Sequence, residues 1–285
     1  MEKSNKVFSK CALVSFLLIF ISHAVNAQTR PKIQEVSVRA PANMKIDGKL
    51  LEWPNKLIAF NPDNRVAYEI TNDDDNLYLT LRGPYFYTSA KLMYGGLTFT
   101  VSRSVDKKAK MKATDNITIT FPVIDPKDAS SIVSSINDFQ PMQHDTVNRK
   151  REHDSLVRVV NAKTITAIKE INVTGIKEIP DTIISIYNTT GLKVAGAFDR
   201  AMYFNIEMAI PLKYLGFSVN EATKFSYNIK LKGQKVAPPS DGGPDGIITT
   251  GSTSVQAAMA LDDFDYVHKP TDFWGEYTLW RIWNH

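Results

Sequence analysis

Phe273, Trp274, Tyr277, Trp280 and Trp283 crowd the last 13 residues of this 285-residue chain. The C–H face of a sugar ring stacks on an aromatic ring, and carboxylates or amides beside it take the sugar hydroxyls. Trp274 stands between Asp272 and Glu276, residue types suited to that task. Strand alternation places Trp274, Glu276, Thr278, Trp280 and Ile282 on one side and Phe273, Tyr277, Leu279 and Trp283 on the other. The second set is the expected core, which leaves Trp274 and Trp280 as candidate binding rings. The competing reading buries a closing strand on both faces, and it weighs more for Trp280 than for Trp274. Tyr85-Phe86-Tyr87 is a second aromatic cluster, so Tyr85 and Tyr87 join the candidates with the same ambiguity.

Acidic clusters could supply hard oxygen ligands to calcium. They are Asp73-Asp74-Asp75, the pair Asp241 and Asp245, and Asp262, Asp263 and Asp265. None has the spacing of a calcium loop, so a solvated turn is the favoured reading. Calcium is the one ion considered, and no other cofactor is expected. His144, His153, His268 and His285 lack metal-ligand spacing. A Gly-x-Ser-x-Gly elbow, a phosphate-cradling loop and a His-Glu-x-x-His helix are all missing from the sequence. Glycosidase carboxylates come from distant strands and cannot be picked out by spacing. The expectation is a non-catalytic protein.

These residues need a framework and a compartment. Lys3, Lys6 and Lys10 precede an apolar run over 12–21, and Val25-Asn26-Ala27 supplies small residues. That order predicts a secretory signal peptide over 1–27, cleaved after Ala27. The run is too short for a spanning helix, so no membrane span is expected once the signal is removed. Cys11 is the only cysteine, so the mature chain would have no disulfide and no thiol site. Losing 1–27 takes three Lys and one Glu, and the formal charge falls from +4 to +2. Nothing in that balance calls for nucleic acid. The expected location is periplasmic or extracellular.

The mature chain has a rhythm of two. Val66, Tyr68 and Ile70 alternate with Ala67, Glu69 and Thr71. Similar runs centre on Leu79, Phe99, Ile119, Ile206 and Tyr227. Each reads as a strand with one wet and one buried face, which belongs to antiparallel sheets. Asn72–Asn76 separates two strands, and residues 188–191 separate strands at 183–187 and 194–198. Pro211-Leu-Lys-Tyr-Leu-Gly216 predicts one helical turn ended by its glycine. No long helical period stands out. Residues 125–155 read as a polar, partly mobile insertion before a strand at 156–160, and 237–252 as a long Gly/Pro loop. The fold expected is all-β: one antiparallel, jelly-roll-like β-sandwich over 28–285.

Ile46-Asp-Gly-Lys-Leu-Leu-Glu-Trp53 resembles the opening signature of family 9 carbohydrate-binding modules. Residues 65–82, with Leu77-Tyr78, are similar to that family's next hairpin. Residues 203–216 look like its Glu-x-Ala-Ile-Pro segment with a trailing Leu-Gly. The three occur in the family's order across residues 46–216. The resemblance implies a β-sandwich and a glycan ligand, and hence a role in polysaccharide utilisation. The related DOMON sandwiches bind haem or sugar. Trp53 is expected to plug the sandwich rather than to bind. Two alternatives accompany the glycan reading. One is a structural or interaction protein of a periplasmic or surface assembly, with a protein partner. The other is a haem-binding redox sandwich, for which Met93 and His268 are the nearest ligand pair.

Overall fold

Alternating apolar residues drive the chain into strands, each offering one face to a shared core. The computed structural model describes residues 30–53, 57–106, 116–137, 146–234 and 255–281. The strands are β1 (Ala59–Asn61), β2 (Val66–Asn72), β3 (Asn76–Gly83), β4 (Leu97–Ser102), β5 (Ile117–Val123), β6 (Glu170–Thr174), β7 (Ile183–Ser185), β8 (Lys193–Phe198), β9 (Phe204–Pro211), β10 (Lys224–Leu231) and β11 (Thr271–Thr278). They form two antiparallel sheets, ordered β1-β2-β3-β9-β8 and β11-β10-β4-β5-β6-β7. The expected signal peptide lies outside the described residues, as do 237–252. The chain divides into Met1–Pro31 and Lys32–His285, and both sheets belong to the second unit.

One apolar cluster joins the sheets. Tyr68, Ile70, Leu79, Leu81, Ile206 and Met208 come from the first, and Phe99, Ile119, Phe225, Tyr227 and Ile229 from the second. Burying each such side chain stabilises the fold by about 1.5–3 kcal/mol. The Tyr68 and Tyr227 hydroxyls meet at 3.0 Å, and the Gln34 amide N–H donates to Tyr68 Oη at 2.9 Å. The two tyrosine hydroxyls are thereby paired rather than stranded in the core. Gly275 makes room for this pair, because a Cβ there would lie 2.3 Å from Tyr227 Cζ.

The fold is mostly β but not all-β. Helix α1 (Phe86–Gly95) carries the chain from β3 of one sheet to β4 of the other. Helices α2 (Pro126–Asn137) and α3 (Thr146–Ala167) fill much of the expected polar insertion. The strand expected at 156–160 is part of α3. Val160 and Thr164, one turn apart, are fully buried there, so the β-branched run packs at a helical step. Single-turn α4 (Leu212–Leu215) ends at Gly216 in the left-handed region, as expected. Helix α5 (Val255–His268) leads into β11. The strands at 183–187 and 194–198 do not pair: β7 and β8 lie in different sheets.

The expectation of a wet outer face fails on the five-stranded sheet. Residues 38–53 lie across it, with Met44 and Ile46 packed on Ala40, Tyr78 and Ala209. Glu69, Thr71, Thr80, Asn205 and Glu207, the polar half of the alternation, are therefore buried. Side-chain amides complete two strands of this sheet. Gln34 Nε2 donates to Ile70 O at 2.7 Å, and its Oε1 accepts from Ile70 N at 2.7 Å. On β8, Asn161 of α3 does the same for Phe198, at 2.9 and 2.8 Å.

Candidate functional site

Two of the sequence motifs meet in space. Glu207 of β9 accepts the backbone N–H groups of Asp47 and Gly48 on Oε2, at 3.1 and 2.8 Å. Trp53 Nε1 donates to its Oε1 at 3.3 Å. Burial pushes this carboxyl above its ordinary range, and the three donors pull against that. Gly48 has φ +76°, and a Cβ on it would lie 2.6 Å from Ala197 N. The turn can approach β8 this closely only with glycine. The Asp-Gly turn, Trp53 and the Glu of Glu-Met-Ala-Ile-Pro thus form one clasp, which pins residues 46–53 over the sheet. Trp53 is half-buried and contributes its indole N–H to this clasp.

Trp274 occupies a different setting. The β11 register sets Trp274 opposite Asn228 and Glu276 opposite Ser226 of β10. Phe273, Tyr277 and Leu279 are buried, as the alternation predicts, and Trp274 is half-buried on the other face. It lines an open groove of about 480 Å³ with Gln34, Glu35, Ser37, Lys224 and Glu276. Lys224 Nζ pairs with Glu276 Oε2 at 2.6 Å, so the groove carries a charged hydrogen-bonding pair near the indole. The segment bearing Glu35 and Ser37 is held to this edge by Ser37 Oγ on Thr278 O at 2.5 Å and by Tyr277 Oη on Val38 O at 3.0 Å. Gln34, Glu35 and Ser37 carry no sequence signal, because residues 28–45 show no pattern that ties them to β11, and Lys224, the first residue of β10, stands just before the alternating run that marks that strand.

The other candidates lie elsewhere. Asp272 accepts from Asn228 Nδ2 at 2.8 Å and is not among the groove residues. Trp280 is half-buried, with the Arg39 guanidinium 4.9 Å from its ring centroid and its backbone N–H on Asn72 Oδ1 at 2.7 Å. Tyr85 and Tyr87 are exposed at the start of α1, edge-on to Phe60 and Phe86. Trp283 lies outside the described residues.

Asp73 is used up by its own turn. Its Oδ1 accepts the N–H groups of Asp75 and Asn76 at 2.9 and 2.7 Å, and its Oδ2 accepts Tyr78 Oη at 2.6 Å. Asp74 faces Arg39 at 3.3 Å. Asp262 and Asp263 both bind Arg65. Among the described residues no group of three or more His, Cys, Asp or Glu could hold a metal ion. Asp241 and Asp245 lie outside them. Met93 is buried in the core, while His268 Nδ1 sits 2.7 Å from Phe264 O in its own helix. No described helix is long and apolar enough to cross a membrane.

No family model matches the chain. No curated protein matches it either.

Proposed function

We propose that this protein is an exported, non-catalytic, carbohydrate-binding β-sandwich of jelly-roll type that holds a glycan in the β11 groove. The supporting observation is the half-buried Trp274 ring in an open groove beside the Glu276–Lys224 pair. An indole face takes the apolar side of a sugar, and the charged pair takes its hydroxyls. The resemblance across residues 46–216 supports the same fold and ligand class. The test is a broad glycan array on the chain from Gln28, followed by titration of any hit against Trp274→Ala. Stacking on one ring is worth roughly 1–2 kcal/mol, so binding should weaken about tenfold with little change in melting temperature. An array with no hit overturns the reading, as does a variant that unfolds easily.

A second reading, a structural or interaction protein of a periplasmic or surface assembly, draws on another face. Ile183 and Tyr187 are exposed at 53% and 78% on and just after the edge strand β7. Exposed apolar side chains at a sheet edge suit a protein partner. Co-purification of a stoichiometric partner that Tyr187→Ser releases would favour this reading over the first.

A further inference from the structure

We propose that the cleft between α3 and the edge strand β8 is a second binding site, for an uncharged, largely apolar small molecule that carries a hydroxyl group. The proposal is independent of the glycan reading, because the cleft shares no residue with the β11 groove. Its volume is about 710 Å³, within the range of small-molecule pockets. The walls are Val157 and Ile165 of α3, then Ile168, Ile186, Val194 and Phe198. A polysaccharide would gain little from such walls, whereas an apolar body gains in proportion to the area it loses to water.

The polar content of the cleft narrows the ligand further. Its charged lining residues are already paired: Asp47 with Lys49 at 3.3 Å, Asp199 with Arg82 at 2.5 Å, and Arg200 with Asp154 at 3.5 Å. Each of these charged groups thus has a partner within the molecule, and an uncharged ligand need displace none of them. Asn161 is likewise engaged, on both backbone groups of Phe198. Asn205 is different. It lines the cleft, is 1% exposed, and its Oδ1 has no hydrogen-bond partner. A half-turn of its amide presents either the oxygen or the NH2 group. A hydroxyl, which both donates and accepts, meets either orientation. Leaving such a group unpaired is costly, so a ligand that pairs it gains affinity and selectivity.

The test uses 2-naphthol and 2-methylnaphthalene, rings of matched shape with and without a hydroxyl, titrated into the full chain by fluorescence or calorimetry. The wild type should bind 2-naphthol. Asn205→Leu should weaken 2-naphthol about tenfold and leave 2-methylnaphthalene unchanged or tighter. Ile165→Lys and Leu51→Glu alter exposed positions at the cleft, 61% and 79% accessible, and should weaken both probes without lowering the melting temperature. If Asn205→Leu does not fold, those two variants still decide the location. No binding by the wild type up to the solubility limit overturns the proposal. So does binding that both mouth variants leave intact, or an Asn205→Leu variant that folds and weakens the two probes equally.

Discussion

Replacing Glu69 with Gln should make stability nearly independent of this site's protonation, and the size of the change follows from its burial. Glu69 lies on the covered outer face of β2, is 7% exposed, and accepts a hydrogen bond from Ile58 N at 3.2 Å. Burial raises its pKa from 4.5 to about 7, while the Ile58 N–H pulls the other way. Below about pH 4.5 the group is protonated folded and unfolded, so it adds no pH dependence. Between 4.5 and about 7 the unfolded chain releases the proton while the folded chain keeps it. Stability therefore falls across that window, by up to about 1.4 kcal/mol per pH unit, and levels off above it. The whole gap is worth about 3 kcal/mol. Glu69→Gln keeps an acceptor for Ile58 and cannot ionise. At pH 8 it should raise stability by up to about 3 kcal/mol, or roughly 6–10 °C for a chain of this size. At pH 4.5 it should match the wild type. Glu207 titrates in the same direction but is common to both proteins, so the difference between their curves isolates Glu69. Denaturant melts from pH 4.5 to 8 measure it. Parallel curves for the two proteins would refute the buried, protonated carboxyl and with it the cover over β2.

Asp73→Ala removes the acceptor of three hydrogen bonds and should cost about 2 kcal/mol, equally with calcium and with chelator; a cost that chelator abolishes would mean an ion sits in this turn. Gly275→Ala places a methyl against Tyr227 and should destabilise by about 2–3 kcal/mol, so an unchanged melt would contradict the Tyr68–Tyr227 packing. Mass spectrometry of the exported protein should find Gln28 at the N-terminus, and a soluble cytoplasmic product with Met1 intact would overturn the signal-peptide reading.

Strand parity was legible because it is local. Phe273 and Tyr277 point inward and Trp274 outward, as two-residue alternation requires. The cover over the five-stranded sheet was not legible, since Glu69, Thr80 and Glu207 look the same in sequence whether water or a distant segment lies above them. Helix α3 was missed for a related reason. Leu156-Val157-Arg158-Val159-Val160 is β-branched enough to read as a strand. Its helical face appears only when Val157, Val160, Asn161 and Thr164 are taken together. Trp53 and its partner Glu207, 154 positions apart, were visible only as parts of two separate motifs. The β11 groove was half legible: its ring was visible, and its opposite wall at residues 33–37 carries no periodic signal.

Gln34 and Asn161 carry a consequence for association between copies. A strand with unpaired N–H and C=O groups is a template on which another chain can add a strand. At Ile70 and at Phe198 both groups are already satisfied by a carboxamide from elsewhere in the same molecule. An incoming strand would have to displace that amide, strand it in a partly buried place and give up two good hydrogen bonds before forming its own. The two carboxamides thus act as stops on opposite flanks of one sheet, favouring the separate protein over sheet-to-sheet fibres.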